Sequence, residues 1–161
     1  MAVPASYTRS QIALHWLIAA LVLFQIFFHD AIEELWRARM NGSVPNEPTP
    51  TAHTIVGMLI FVLMIWRLVL RLRLGAPPPP ADEHPALRFL AAAVHVLFYL
   101  LLLGMPVSGA VAWFGGFALP AEAHGVAAKL LIALVILHVV AAVAHRFWFR
   151  SGVMERMVRP G

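Results

Sequence analysis

Four long apolar runs, separated by short polar stretches, organise the chain. They cover Ile12 to Phe28, about His53 to Leu72, Phe89 to Pro106, and a last run that follows Pro120 and reaches about Phe149. Each is close to the roughly 20 residues that a helix needs to cross the hydrocarbon of a bilayer. Helix-start signals precede the runs: Ser6 or Thr8, Thr49-Pro50, His84-Pro85 and Pro120, with Met105-Pro106 read as the end of the third. The pattern predicts an all-α transmembrane four-helix bundle in one domain over residues 1–161, with spans at about 8–29, 52–72, 86–106 and 122–149. The first run mimics a signal peptide, but it exceeds an ordinary apolar core of that kind and ends in Phe27-Phe28-His29-Asp30 without small cleavage residues. It is therefore read as a span.

Between the first two runs, Ile32, Leu35, Trp36 and Met40 recur at helical spacing, and Glu33, Glu34, Arg37 and Arg39 occupy the other face. This predicts a short helix on the membrane surface or a protruding end of the first span. The connection from Gly75 to Pro85 holds four consecutive prolines and reads as a stiff polyproline segment. Arg9, Arg67, Arg71, Arg73, Arg88, Arg146, Arg150, Arg156 and Arg159 fall on one side of the spans, against Arg37 and Arg39 on the other. By the positive-inside tendency both termini face the cytoplasm. The same placement accounts for the basic balance without nucleic acid as a partner.

Composition sharpens this reading. Of 161 residues, 61% are apolar and 12% charged, where a soluble domain has about 25% charged, so any chemistry must sit inside the bundle. The absence of cysteine excludes disulfides, thiolate metal sites, iron–sulfur clusters and thioether-attached haem. No glycine-rich phosphate loop or nucleophile constellation is present, and Ser108-Gly109 reads as turn chemistry. Eight histidines stand out instead, because polar groups inside a membrane are costly and mark function.

His124 and His138 are 14 residues apart on the fourth span, which corresponds to about 21 Å of rise and a facing error of about 40°. They share a face at two depths. They cannot reach one metal ion, but each can bind a flat cofactor stacked along the bundle axis, and two haems explain the spacing economically. Span directions match His15 with His138 at the inner side and leave His29 or His53 as the partner of His124. His29 lies 14 residues from His15 but adjoins Asp30, Glu33 and Glu34, whereas His53 opens an apolar segment with Gly57 one turn on, where a porphyrin can approach the backbone. The residues favour His53 and leave His29 as the alternative.

Other polar residues have two readings each. Arg67, 14 residues after His53, is a haem-propionate partner or part of the inner basic collar, and Lys129 is a propionate partner of the outer haem or a snorkelling lysine. His84 is a solvated loop residue, and His95 bonds a propionate, a quinone or a neighbouring helix. His145, Arg146 and Trp148 lie two to three turns past His138. They form a candidate quinone site, where imidazole exchanges protons, arginine stabilises developing negative charge and an aromatic packs on the ring, or a plain membrane-surface anchor.

The ordered landmarks Gln11-Ile12-Ala13-Leu14-His15-Trp16, His53-Thr54-Ile55-Val56-Gly57, Arg67-Leu68-Val69-Leu70-Arg71-Leu72, His95-Val96-Leu97-Phe98-Tyr99, Met105-Pro106-Val107-Ser108-Gly109, His124, Leu137-His138 and Ala144-His145-Arg146 resemble those of the bacterial cytochrome b561 family. The likeness covers nearly the whole chain. It implies two haem b groups, with His15 and His138 on the inner iron and His53 and His124 on the outer one, and a multi-pass protein of the bacterial inner membrane. It also implies ubiquinone or another quinone as membrane partner. The family includes superoxide oxidases that reduce ubiquinone and electron carriers that serve separate proteins, and the short connection between spans three and four leaves less material over the outer haem here.

A quinone-linked oxidoreductase, a non-enzymatic electron-transfer subunit and a histidine-rich metal or proton transporter therefore compete. The transporter is the weakest, since ligands do not converge at one depth and the spans lack core carboxylates. Paired histidines fill both axial positions of a haem, which favours outer-sphere electron transfer over oxygen binding at iron. The outer segments carry Asp30, Glu33, Glu34, Glu47 and Glu122 against Arg37 and Arg39, a net charge of −3 that does not steer anionic superoxide from that side.

Overall fold

A computed structural model describes residues 4, 6–44, 47–80 and 83–160. Among the described residues five α-helices follow one another: α1 Arg9–Phe27, α2 Asp30–Met40, α3 Ala52–Leu74, α4 Pro85–Gly115 and α5 Ala118–Phe147, with a 3-10 turn at Glu155–Met157. Among the described residues four of them, α1, α3, α4 and α5, are long and apolar enough to cross a membrane. Each runs opposite to the one before it. The bundle thus has one end with both termini and the α3–α4 connection, and another with α2 and the α4–α5 turn.

Side-chain caps set the helix starts. Thr8 accepts from the Gln11 amide while the Gln11 side chain accepts from the Thr8 N–H, and Thr51 and Thr54 do the same at the head of α3. His84 caps α4, with Pro85 in its first position, where the missing N–H costs no helical bond.

Two of the four prolines read as boundary signals, Pro106 and Pro120, lie past the first position of a helix. Helix α4 continues through Pro106 to Gly115 and ends only where Gly116 takes a left-handed conformation at φ 72°. Membrane helices tolerate a proline because neighbouring groups satisfy the carbonyl that it leaves without a donor. Pro120 occupies the first turn of α5, where an N–H has no intrahelical partner. The α4–α5 connection therefore shrinks to two residues, shorter still than the sequence suggests.

Leu14, Ile18 and Val22 of α1, spaced four apart, pack with Ile60, Leu63 and Met64 of α3 and Leu131 of α5 into the buried core. Large apolar side chains such as Phe89 and Leu119, each 77% exposed, point outward. This inversion of a soluble surface suits lipid as the solvent, where association rests on close packing and interhelical hydrogen bonds.

Helix α2 is a separate element folded back over the bundle end. Arg39, expected on its polar face, is buried at 8% exposure: its Nη1 donates to the Trp113 carbonyl and its guanidinium lies 5.7 Å from the Trp113 ring centroid. A cation at the C-terminus of α4 meets the negative end of the helix dipole. Trp113 Nε1 donates in turn to the Thr49 carbonyl at 2.9 Å, tying the approach to α3 into the same corner.

At the opposite end the chain closes on itself. Trp16 Nε1 donates to the Met157 carbonyl at 2.7 Å, Arg156 Nη1 to the Pro78 carbonyl at 2.7 Å, and Arg146 pairs with Glu155. The polyproline segment is thus a docking strip for the C-terminal turn.

Candidate functional site

At the α2 end, α3 and α5 each carry a histidine within their first two turns, and these two rings face one another. The centroids of His53 and His124 are 6.1 Å apart with planes at 67°. His124 Nδ1 donates to the Met105 carbonyl at 2.9 Å, which leaves Nε2 as the lone-pair nitrogen. Nδ1 of His53 is buried without a hydrogen-bond partner among the described residues. Gln25 Nε2 donates to the His53 carbonyl at 2.9 Å, and an added Cβ at Gly57 meets that amide at 3.3 Å. The space at Gly57 therefore receives Gln25, where the sequence suggested a porphyrin.

A cavity of about 420 Å³ opens beside His53, walled by Phe24, Phe27, Phe28, Ile32 and Leu35. His29, in the chain between the lining residues Phe28 and Asp30, takes another course. Its Nδ1 bonds the Ile26 carbonyl at 2.9 Å and its Nε2 sits 3.3 Å from Asp30 Oδ1 at the exposed surface. The structure thus brings His53, and not His29, to His124.

The termini end repeats the arrangement. The ring centroids of His15 on α1 and His138 on α5 are 6.3 Å apart with planes at 69°. Phe98 of α4 meets His138 edge-on at 5.5 Å, and His95, one turn earlier, approaches it at 5.6 Å. Nδ1 of His95 is spent on the Ala91 carbonyl at 2.6 Å.

Arg67 lies close enough to His15, His95 and His138 to act on each electrostatically. It is held by a 2.7 Å bond from Nη1 to the Gln11 carbonyl, while Arg71 lies 5.8 Å from the Tyr99 ring centroid. Gln11 Nε2 donates to the Gly75 carbonyl at 3.0 Å, so the start of α1 and the end of α3 are joined beneath Arg67. Tyr99 and Gln11 were visible in the sequence only as neighbours of histidines, since nothing in their own spacing announces an arginine partner.

His145, Arg146 and Trp148 share this end but do not converge. His145 Nε2 lies 3.2 Å from Glu83 Oε1 and its Nδ1 lies 2.9 Å from Ser151 Oγ, so both ring nitrogens are engaged. Glu83, near the end of the polyproline connection, keeps only 9% of its side chain exposed. Arg146 is paired with Glu155, and Trp148 is 85% exposed. A second cavity, about 430 Å³, lies against Arg146, Phe147, Arg150, Gly152 and Glu155. Lys129 is exposed on α5.

The sequence profile described as "Prokaryotic cytochrome b561" matches residues 6–160. The chain belongs to the prokaryotic cytochrome b561 family. It is similar to "Cytochrome b562" of Cereibacter sphaeroides, with 36% identity over 96% of each chain. It is also similar to "Probable superoxide oxidase CybB" of Yersinia pestis, 27% identical over 94% of this chain and 95% of that one, and to "Cytochrome b561 homolog 2" of Escherichia coli, 24% identical over 96% and 92%.

Membership of the b561 family makes the chain a membrane electron-transfer protein, multi-pass in the bacterial inner membrane, and implies b-type haem. The residues present fit that group. Each histidine pair is separated by about twice a metal–nitrogen bond of roughly 2 Å plus the half-widths of the rings, His124 is already turned by its second nitrogen, and the buried Nδ1 of His53 has no hydrogen-bond partner among the described residues.

Proposed function

We propose that this b561-family chain carries two haem b groups, one iron between His15 and His138 and the other between His53 and His124, and moves electrons between the quinone pool and a one-electron partner. Two histidine pairs of nearly equal separation, 6.3 and 6.1 Å, at opposite ends of the bundle are the observation that carries this reading. A haem bound at each pair supplies a one-electron ferric/ferrous couple. The protein's part is to present two nitrogens across the bundle, exclude water with core side chains such as Met64 and Leu131, and balance charge. Arg67, with no carboxylate partner among the described residues, is suited to a propionate at the termini end, and Lys129 to one nearer α2. The arginine bias supports an orientation with both termini in the cytoplasm.

Superoxide is one candidate donor class, since one relative is named a probable superoxide oxidase and a one-electron donor needs only an accessible haem edge. The acidic α2 end favours a second reading, an electron-transfer subunit that receives electrons from a separate cationic protein. Anaerobic and aerobic haem absorbance after addition of superoxide or quinol separates them. Reduction by superoxide followed by oxidation with added ubiquinone supports the oxidoreductase; inertness to superoxide with reduction by quinol supports the subunit.

For quinone, His145, Arg146 and Trp148 remain one proposed site, with Glu83, His145 and Ser151 as a chain able to exchange protons with water. The aromatic cavity touching His53 supports a second site, since its walls suit an apolar ring and it abuts a proposed ligand.

A further inference from the structure

Among the described residues, His124 differs from the other three proposed ligands in one respect: its second ring nitrogen has a hydrogen-bond acceptor. Nδ1 donates to the Met105 carbonyl at 2.9 Å. The same carbonyl accepts from Ser108 Oγ at 3.0 Å, and that oxygen lies 3.4 Å from His124 Nδ1. Against the flat side of the contact stands Gly109, where an added Cβ meets both Cε1 and Nδ1 of His124 at 3.1 Å. The turn of α4 around Pro106 therefore supplies an acceptor, a competing donor and a clearance that only glycine leaves open.

We propose that Met105, Ser108 and Gly109 are positioning residues that fix the tautomer and ring plane of His124 and thereby lower the reduction potential of the haem at the α2 end relative to its partner. The inference rests on the di-haem reading above. A ligating histidine whose second N–H is given to a carbonyl is a stronger donor to the metal, and such outer partners are worth about 10- to 100-fold in metal-site properties. Greater donation stabilises ferric over ferrous iron. Gly109 keeps the ring within reach of the carbonyl, and Ser108, by taking part of the same oxygen, moderates the effect.

The two side-chain positions act in opposite senses, which makes the inference testable by potentiometric titration of the holoprotein in detergent with both haems resolved. Gly109→Ala pushes the ring off Met105 and raises the α2-end potential, with a roughly tenfold change in the ferrous-to-ferric ratio, or about 59 mV. Ser108→Ala leaves the carbonyl to His124 alone and lowers it by a smaller factor. The termini-end haem stays put in both variants and serves as an internal reference.

Movement in the same direction in both variants, equal movement of the two haems, or unchanged potentials with both haems retained overturns the proposal. If Gly109→Ala fails to retain haem, the sign of the shift in Ser108→Ala decides alone, and no shift there overturns it. His124→Ala is the control for the underlying reading. If it keeps both haems, the ligand assignment has failed, which is a different result from potentials that ignore Ser108 and Gly109.

Discussion

His53 and His124 meet across the α2 end with ring centroids 6.1 Å apart, although 71 positions of sequence separate them. Their approach depends on α3 and α5 both starting at that end and on each placing its histidine within the first two turns. The other candidate, His29, is drawn to the surface by Ile26 and Asp30.

His53→Ala is accordingly expected to lose one of two haems, halving the pyridine haemochrome count, while His29→Ala keeps both. The pair is informative together. Retention of both haems in His53→Ala with loss of one in His29→Ala reverses the assignment.

Arg39 provides a test of the fold independent of haem. Arg39→Leu removes a charged donor from a buried carbonyl and a cation from the end of α4, a loss of about 1.5–3 kcal/mol for the hydrogen bond. The variant is expected to unfold at lower denaturant or temperature in detergent while retaining its haem spectrum when cold. Unchanged stability means that α2 contributes nothing to holding α4.

These cases show where the sequence speaks and where it is silent. Four spans and the shared face of His124 and His138 follow from periodicity, because a helix repeats its face regularly and hydrocarbon demands a fixed length. Pro106 and Pro120 mislead, since a proline marks a helix boundary only where water, and not a neighbouring helix or a first turn, must satisfy the backbone. Arg39 on α2 was assigned by local amphipathic pattern, yet its partner lies 74 positions away, and no local pattern encodes that contact. His145 likewise gains Glu83 only after the polyproline strip and the C-terminal turn have folded together.

Arg67 yields a prediction about charge. Removing a cation roughly 10 Å from a redox centre, at an effective dielectric of about 20, disfavours the reduced state by about 1–2 kcal/mol. Arg67→Met should lower the potential of the termini-end haem and leave the other in place, as read by potentiometry. Equal shifts in both haems assign Arg67 to the general basic collar instead of to one site.

The location of quinone exchange separates the two cavities. At the termini end His145 gives one nitrogen to Glu83 and the other to Ser151, and Arg146 is neutralised by Glu155, so a quinone there must displace existing partners. At the α2 end the cavity beside His53 is bounded by Phe24, Phe27 and Phe28 and needs no such displacement. Phe27, itself 72% exposed, can be enlarged without disturbing the core. Stopped-flow oxidation of the reduced protein by a short-chain ubiquinone is expected to slow about tenfold in Phe27→Trp if exchange occurs beside His53, since a filled pocket loses roughly 1–2 kcal/mol of ring contact. His145→Ala is expected to slow the same step only if quinone exchanges at the termini end, where loss of the imidazole interrupts proton exchange through Glu83. Both variants should retain two haems. A defect confined to Phe27→Trp assigns the exchange to the α2 end; one confined to His145→Ala assigns it to the termini end; and normal kinetics in both removes quinone from either cavity.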